Sequence, residues 1–160
     1  MTPERKKILL NLGGAVVLAA LCSIPLVPIV GLILLSASHV EANAPRASDF
    51  AGILQRDLTA YFASTGIEEP NVSFLMLRDG PTQSGIAYPK YYVWASVKSR
   101  GKHVTSGAAR VVAINKERFE VANLVSRETI LKSPETVRSL FPEALYERIC
   151  QKATEITPNV

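Results

Sequence analysis

Residues 8–37 read ILLNLGGAVVLAALCSIPLVPIVGLILLSA and contain no charged side chain. A helix needs roughly 20 apolar residues to cross about 30 Å of hydrocarbon. The run is longer than this, so it predicts a single transmembrane anchor whose lipid-embedded part covers about residues 12–36. Pro25 and Pro28 fall near the middle of that segment and predict a kink, because a proline cannot donate a backbone hydrogen bond.

Three other interpretations of this run compete with the anchor. A cleaved signal peptide has an apolar core of about 7–15 residues; the tract 42–44 (Ala-Asn-Ala) resembles a cleavage site, but Pro45 follows it directly. A lipoprotein signal would use Cys22, but Leu21 is bulky at a position that needs a small residue. A buried helix of a soluble domain conflicts with the length and the lack of charge. An uncleaved anchor fits these features best.

Positive charge is concentrated on the amino-terminal side of the run, whereas the other flank carries charges of both signs. The first flank contains Arg5, Lys6 and Lys7, and the second contains His39, Glu41, Arg46 and Asp49. Lysine and arginine are enriched on the cytoplasmic side of membrane helices. We therefore expect residues 1–7 to be a cytoplasmic tail and the chain after the anchor to be periplasmic or extracellular. This predicts a single-pass protein of the inner (plasma) membrane, bound to the lipid bilayer through residues 8–37.

The rest of the chain has the size of one compact domain. Residues 38–47 are predicted to be a linker, residues 48–154 an extracytoplasmic domain and residues 155–160 a frayed tail. Cys150 is the only cysteine that follows the anchor, so an internal disulfide cannot form in this domain. Its stability must therefore come from packing, unlike that of many small secreted scaffolds.

Basic residues are concentrated between Lys90 and Arg118. This interval contains seven lysines and arginines but a single acidic residue, Glu117. A location outside the cytoplasm argues against nucleic acid as a partner and leaves an acidic protein or anionic lipid headgroups. The alternative is that most of these cations are solvated residues on strand ends and turns.

The order of elements predicts an α+β domain, with a four-stranded antiparallel sheet flanked by an amino-terminal helix and carboxy-terminal helices. Apolar residues recur at helical spacing over residues 48–65, with Ser48 as the N-cap and Gly66 as the stop. The predicted strands are residues 71–78, 90–99, 103–114 and 119–125, and the turns at 99–102 and 115–118 are short enough to force antiparallel neighbours. Three short helical segments are predicted to begin at Ser126, at 133–135 (Ser-Pro-Glu) and at Pro142.

The second strand carries the best candidate for a binding surface. Its residues alternate between the two faces of the sheet, so that Tyr92, Trp94 and Lys98 share one face. The small residues 106–109 in the third strand predict either a depression or a close approach of a helix. Interface energy concentrates in aromatic and arginine anchors. The predicted partner-binding residues are therefore the anchors Tyr92, Trp94 and Arg110 and the rim residues Lys98 and Arg100. The competing interpretation is that the sheet curls and fills its own interior.

The sequence contains no catalytic, cofactor-binding or metal-binding signature. His103 is the only histidine within the predicted domain, and its spacing to cysteines and carboxylates matches no metal site. A nucleophilic pair of Cys150 and His103 would have to form in space, and structural roles explain both residues. Glycine-rich phosphate-binding motifs are also absent. We therefore expect no enzymatic activity, no cofactor and no metal.

These features predict a non-catalytic, membrane-anchored interaction module with a protein partner in the cell envelope. The first hypothesis is a small subunit of a secretion-type or conjugation-type assembly. The second is a periplasmic immunity or inhibitor protein that neutralises a toxin, which would have the same architecture. The third is a carrier of a small apolar ligand, or an enzyme, that uses an aromatic-lined concavity.

Overall fold

The structure is a computed structural model that describes residues 26–83 and 87–155. The predicted cytoplasmic tail, residues 8–25 of the predicted anchor and residues 156–160 of the predicted frayed tail lie outside the described residues. The elements in chain order are helices α1 (Leu26–Asn43) and α2 (Ala47–Ser64), strands β1 (Pro70–Met76), β2 (Lys90–Ser99), β3 (Lys102–Ile114) and β4 (Arg118–Ser126), helices α3 (Arg127–Lys132) and α4 (Glu135–Leu140), a 3-10 helix (Glu143–Leu145) and helix α5 (Tyr146–Thr154).

The predicted α+β class and the predicted antiparallel sheet are confirmed. The strands lie in the order β1-β2-β3-β4, and each strand pairs antiparallel with its neighbour in sequence. Strand β2 has the predicted bounds. Strand β1 ends at Met76 rather than at Arg78, although the N–H of Leu77 still donates to the carbonyl of Tyr92 at 2.8 Å. The chain then turns away at Gly80, whose φ is 71°.

A two-residue turn joins β2 to β3, as the sequence predicts. Arg100 and Gly101 have φ values of 50° and 78°. Positive φ at both central residues is the mark of a type I′ turn, whose twist matches that of the flanking strands. Ser99 and Lys102 pair on either side of the turn. The turn therefore sets the register of the pairs next to it, and an irregularity between Val97 and Lys98 shifts the register of the rest of the hairpin.

Helix α2 ends at the glycine that the sequence identifies as its stop. Gly66 has a φ of 90° and donates its N–H to the carbonyl of Ala63 at 3.0 Å. The N–H of Ile67 donates to the carbonyl of Phe62 at 3.3 Å. These two bonds form a Schellman motif, and Phe62 and Ile67 also belong to one apolar cluster, as is common for this motif.

The N-caps predicted at Ser126, Ser48 and Ser133 have different outcomes, and α4 has Pro134 rather than Ser133 at its N-cap. Ser126 caps α3, since its hydroxyl accepts the N–H of Thr129 at 3.2 Å. Ser48 does not cap α2, because the helix begins one residue earlier, at Ala47. The hydroxyl of Ser48 donates instead to the carboxylate of Asp49 at 3.0 Å.

The domain has three layers, because helices pack on both faces of the sheet. On the first face, α2 contributes Leu54, Leu58 and Phe62. They pack with residues of all four strands, among them Val72, Tyr91, Val93, Ala95, Val97, Ala109, Val111 and Phe119. Burial raises the pKa of Tyr91, so its phenol remains neutral in the core. Each large apolar side chain buried in this way contributes about 1.5–3 kcal/mol.

The second face of the sheet packs against the carboxy-terminal helices. The strands contribute Tyr92, Trp94, Ala108 and Val125, and Leu77, which follows β1, packs with them. The helices contribute Ile130, Val137, Leu145, Ile149 and Ala153, and Phe141 lies between α4 and the 3-10 helix. The alternation predicted for β2 is confirmed, since its odd and even positions belong to different clusters. Among the small residues of β3, Ala108 packs in the cluster with the helices, whereas Gly107 lies close to the backbone of the neighbouring strand β4. An added Cβ at Gly107 would lie 2.3 Å from the carbonyl oxygen of Val125.

Polar side chains of α2 bind both edge strands of the sheet. Gln55 donates to the carbonyl of Val72 in β1 at 3.1 Å. At the opposite edge, Asp57 accepts the N–H of Phe119 in β4 at 2.6 Å. The helix thus satisfies backbone groups that an edge strand would otherwise expose, which protects both edges from pairing with another chain.

The carboxyl end of α1 is attached to the turn between β3 and β4. The amide nitrogen of Asn43 donates to the carbonyl of His39 at 2.9 Å, and its amide oxygen accepts the N–H of Asn115 at 3.1 Å. The backbone carbonyl of Asn43 accepts the N–H of Lys116 at 2.8 Å. Asn43 is buried, so these bonds satisfy groups that water does not reach. The first part of the predicted linker is therefore helical and docked.

None of the helices formed by residues 26–83 and 87–155 combines the length and apolar character that a membrane crossing requires. The chain divides into two compact units after Ser38, and the three-layered domain belongs to the second unit.

Candidate functional site

The pairing register brings three polar residues to one end of the second face. Lys90, Tyr92 and Trp94 are every second residue of β2, so their side chains lie on the same face of the sheet. Arg110 of β3 pairs directly with Tyr92, so the three polar residues are Lys90, Tyr92 and Arg110. Lys90 pairs with Val112, so Lys90 and Arg110 are diagonal neighbours on the same face. Such neighbours lie about 7–8 Å apart, which long side chains can bridge. Trp94 is covered by the carboxy-terminal helices, whereas Lys90, Tyr92 and Arg110 reach a cleft beside them.

This cleft has a volume of about 280 Å³. The sheet contributes Lys90, Tyr92 and Arg110. The other walls are formed by the loop between β1 and β2 and by residues 139–142 at the end of α4. Its lining residues are Thr82, Gln83, Lys90, Tyr92, Arg110, Ser139, Leu140, Phe141 and Pro142. We call this site the basic cleft, because it contains two cations and none of the residues that line it is acidic.

The loop between β1 and β2 is held against the cleft by a short bridge. The N–H of Thr82 donates to the carbonyl of Lys90 at 2.8 Å, and the N–H of Lys90 donates back to the carbonyl of Thr82 at 2.9 Å. The hydroxyls of Thr82 and Tyr92 are 2.7 Å apart and share a hydrogen bond. The ring of Tyr92 lies 6.1 Å from that of Phe141, between centroids. The loop, the sheet and the end of α4 are thereby fixed relative to one another.

Arg110 connects the sheet to the carboxy-terminal helices. One terminal nitrogen donates to the carbonyl of Leu140, the last residue of α4, at 3.0 Å, and the other donates to the side-chain oxygen of Asn123 in β4. The Nε of Arg110 is buried and has no hydrogen-bond partner among the described residues. Both bonded acceptors are neutral, so the guanidinium charge is not balanced by them.

Neither cation of the basic cleft forms an ion pair with any described residue. The ion pairs of the described chain lie elsewhere, and each contains a side chain well exposed to solvent; they join Arg56 to Asp57, Arg100 to Glu68, Arg118 to Glu120, Arg138 to Glu135 and Glu143, and Lys152 to Glu155. Two unpaired positive charges on one wall repel each other, and this repulsion is stronger beside a low-dielectric core than in water. The cleft is therefore electrostatically suited to an anion.

No protein family, curated protein or solved structure matches this chain. Its functional assignment therefore depends on the geometry of the described residues.

The structure unites only two of the five residues predicted to bind a partner. Tyr92 and Arg110 meet in the basic cleft. Trp94 is 7% exposed and belongs to the core, so it is not the exposed anchor that the sequence suggested. It is buried because α3, α4 and α5 cover the central part of the second face. A role of these residues in partner binding stays a prediction.

Lys98 and Arg100 lie at the other end of the sheet, near the β2–β3 turn. Lys98 is exposed on the second face, beyond the area that the carboxy-terminal helices cover. Arg100 donates to the carboxylate of Glu68 at 2.6 Å, and both side chains are more than two-thirds exposed. His103 and Val104 are exposed beside them. We call Lys98, Arg100, Lys102, His103 and Val104 the hairpin surface.

Of the nine residues that line the basic cleft, the predicted partner-binding residues include only Tyr92 and Arg110. The alternation of β2 is sufficient to predict that Lys90 belongs to the same site, because Lys90 shares a face of the sheet with Tyr92. Thr82 and residues 139–142 come from segments far apart in the sequence, and no local pattern connects them to β2. Pro142 is predicted from the sequence only as the start of a helical segment.

His103 and Cys150 are the residues that the sequence offers for a metal site or a nucleophilic pair. No group of three or more His, Cys, Asp or Glu side chains among them could hold a metal ion. His103 is exposed at the hairpin surface, whereas Cys150 packs beside the core of the carboxy-terminal helices. Because the two residues belong to different parts of the domain, they are not placed as a nucleophile and its base.

Proposed function

We propose that this chain is a non-catalytic, membrane-anchored interaction module, and that it serves as a small subunit of a cell-envelope assembly of the secretion or conjugation type. Residues 8–37 would anchor it in the inner membrane, with residues 1–7 in the cytoplasm and the domain outside. The uncharged run and the three cations before it support this arrangement.

The hairpin surface is the observation that carries this proposal. The carboxy-terminal helices cover one part of the second face and leave the β2–β3 end exposed. Three cations lie there within five residues, and Val104 is 49% exposed among them. Such a combination favours an acidic protein partner, because opposite charge accelerates association and a central apolar contact adds affinity.

An immunity or inhibitor protein would use the same surface to occlude an acidic toxin. The two functions differ in the identity of the partner and not in the geometry of this domain. A carrier or an enzyme that uses an aromatic-lined concavity is the third candidate, and it has less support because Trp94 packs against the carboxy-terminal helices and does not line the basic cleft.

The test is site-specific crosslinking in cells that contain the native partner. A photoreactive residue in place of Lys98 should crosslink the full-length chain to one protein. A second photoreactive variant, at Lys116 in the turn at the opposite end of β3, is the matched control and should not. Lys98→Glu should slow capture of that protein and change its salt dependence, as rim charges do.

Lys116→Glu makes the same change of charge in the other exposed turn and should leave capture unchanged. Circular dichroism must show that both variants remain folded. Equal capture by the two variants would place the partner surface elsewhere, and a failure of Lys98 to crosslink any protein would remove the basis of the proposal.

A further inference from the structure

The basic cleft is separate from the hairpin surface and has its own chemistry. Lys90 and Arg110 reach it from neighbouring strands, and Thr82, Tyr92 and Ser139 add hydroxyl groups. A second depression, of about 440 Å³, lies between the end of β1 and the 3-10 helix, but there Asp79 accompanies Arg78 and Arg148. The basic cleft is therefore the stronger candidate for an anion site.

We propose that the basic cleft binds a carboxylate group of an acidic peptide segment. This inference rests on the proposal that the domain recognises a protein, and it specifies a second point of contact. The cleft would take one acidic side chain or one terminal carboxylate, with Lys90 and Arg110 as the charged donors. The hydrogen-bonded pair of Thr82 and Tyr92 hydroxyls retains one hydrogen for a further donor, whereas the Ser139 hydroxyl already donates to the carbonyl of Thr136 at 2.9 Å.

The electrostatics of the walls favour a singly charged group. The cations lack an anionic partner among the described residues, so an incoming carboxylate relieves the repulsion between them. The cleft also contains the last residues of α4, where helix carbonyl groups present partial negative charge. Those carbonyl groups oppose a doubly charged phosphate more strongly than a carboxylate.

The size and the remaining walls favour a short peptide group over a larger ligand. About 280 Å³ is slightly below the range of roughly 300–1,000 Å³ in which pockets enclose drug-sized molecules. Leu140, Phe141 and Pro142 provide apolar surface beside the polar groups. The methylene groups of a glutamate side chain could pack there while its carboxylate meets the cations.

The structure of the cleft implies that it needs little rearrangement for binding. Arg110 is held by Leu140 and Asn123, and Tyr92 is held by Thr82. Side chains that are already ordered lose little conformational entropy when a ligand binds. Lys90 is the one charged wall residue without a side-chain hydrogen bond among the described residues, so it is the appropriate position for a substitution that leaves the fold intact.

The test uses the full-length chain, labelled with ¹⁵N, in a nonionic detergent. The probe is the blocked tripeptide acetyl-Gly-Glu-Gly-amide, and the same peptide with Gln in place of Glu is the isosteric control. We expect the Glu peptide to shift the amide resonances of Lys90, Tyr92 and Arg110 in a saturable manner, and the Gln peptide to have little effect. Lys90→Gln should weaken the binding about fivefold or more, because one of two charged donors is lost.

Lys132→Gln removes the same charge from an exposed position outside the cleft and should not change the affinity. Acetyl-Gly-Gly-Gly with a free carboxyl end distinguishes the two sources of a carboxylate. Stronger binding by it would assign the site to a chain terminus, and weaker binding would assign it to an acidic side chain.

Equal shifts with the Glu and Gln peptides, or an unchanged affinity in Lys90→Gln, would overturn the proposal. Tighter binding of inorganic phosphate than of either carboxylate peptide would overturn it as well. The result is independent of the crosslinking test. Crosslinking at Lys98 with a failed titration would reject only the cleft, and a saturable titration without any crosslink would retain the carboxylate site and reject the hairpin surface.

Discussion

At the scale of single residues, Gly107 is the one glycine among the described residues at which an added Cβ would meet other atoms within 4 Å. A Cβ there would lie 2.3 Å from the carbonyl oxygen and 3.0 Å from the carbonyl carbon of Val125, and 2.9 Å from the Cα of Ser126. All three atoms belong to the backbone of β4, so they cannot move as a flexible side chain could. The strand pairing itself therefore requires glycine at this position.

We predict that Gly107→Ala lowers the free energy of unfolding by at least about 2 kcal/mol, because overpacking forces the β3–β4 ladder apart. Gly52→Ala is the matched control. Gly52 lies on the exposed side of α2 with no atom within 4 Å of an added Cβ, so this change should stabilise the protein by about 0.4–1 kcal/mol. Urea unfolding followed by circular dichroism measures both. A neutral Gly107→Ala would show that β4 can shift without loss of packing.

Trp94 presents the opposite case, a large side chain enclosed by the carboxy-terminal helices. We predict that Trp94→Ala costs about 3–5 kcal/mol of stability, as is usual when a large buried side chain is deleted. Leu131→Ala, at a position that is 51% exposed, should cost little. Circular dichroism is the appropriate probe, since the substitution removes the only tryptophan. A folded and fully stable Trp94→Ala protein would mean that the helices do not pack on this face.

At the scale of elements, α2 fastens the two edges of the sheet. We predict that Asp57→Ala costs about 1–3 kcal/mol, because the N–H of Phe119 loses its acceptor in a partly buried setting. Asp49→Ala, in the exposed first turn of the same helix, removes the same charge and should cost only about 0.3–1 kcal/mol through the helix dipole. Hydrogen exchange at the amide of Phe119 should accelerate in Asp57→Ala alone. If both variants accelerate it equally, the edge is protected by something other than Asp57.

The sequence predicted elements better than it predicted how they pack. Turn residues such as Gly101 and Gly66 act locally, so they revealed the hairpin and the helix stop. Short connections then determined the order of the strands. Packing on the second face depends on contacts between β2 and residues 130–153, and sequence periodicity cannot tell which of two apolar faces a distant helix will cover. For that reason Trp94 is predicted to be a surface anchor, and Tyr92 and Arg110 are the only residues of the basic cleft among the predicted partner-binding residues.

At the scale of the whole molecule, the proposed topology makes a direct prediction. A reporter that is active only outside the cytoplasm should be active when it is fused after Val160. Replacement of Arg5, Lys6 and Lys7 by Glu should reduce the correctly oriented fraction, because cytoplasmic lysine and arginine determine orientation. Replacement of Lys102, Lys116 and Lys132 by Glu makes the same change of charge within the domain and should leave orientation unaltered. Reporter activity confined to the cytoplasmic side in the native chain would reject the proposed location.

Because α2 is attached to both sheet edges, it cannot complete its contacts until both edge strands have been synthesised. The helix is complete at Ser64, but its second edge partner, β4, is not available until Ser126, roughly 60 residues later. Because synthesis proceeds at about 5–20 residues per second, the apolar side chains of Leu54, Leu58 and Phe62 remain incompletely buried for several seconds. Each strand in between needs only its immediate neighbour, so the hairpins can close early. A nascent chain of this protein therefore exposes part of the apolar face of α2 for a defined interval, and that interval ends when β4 becomes available.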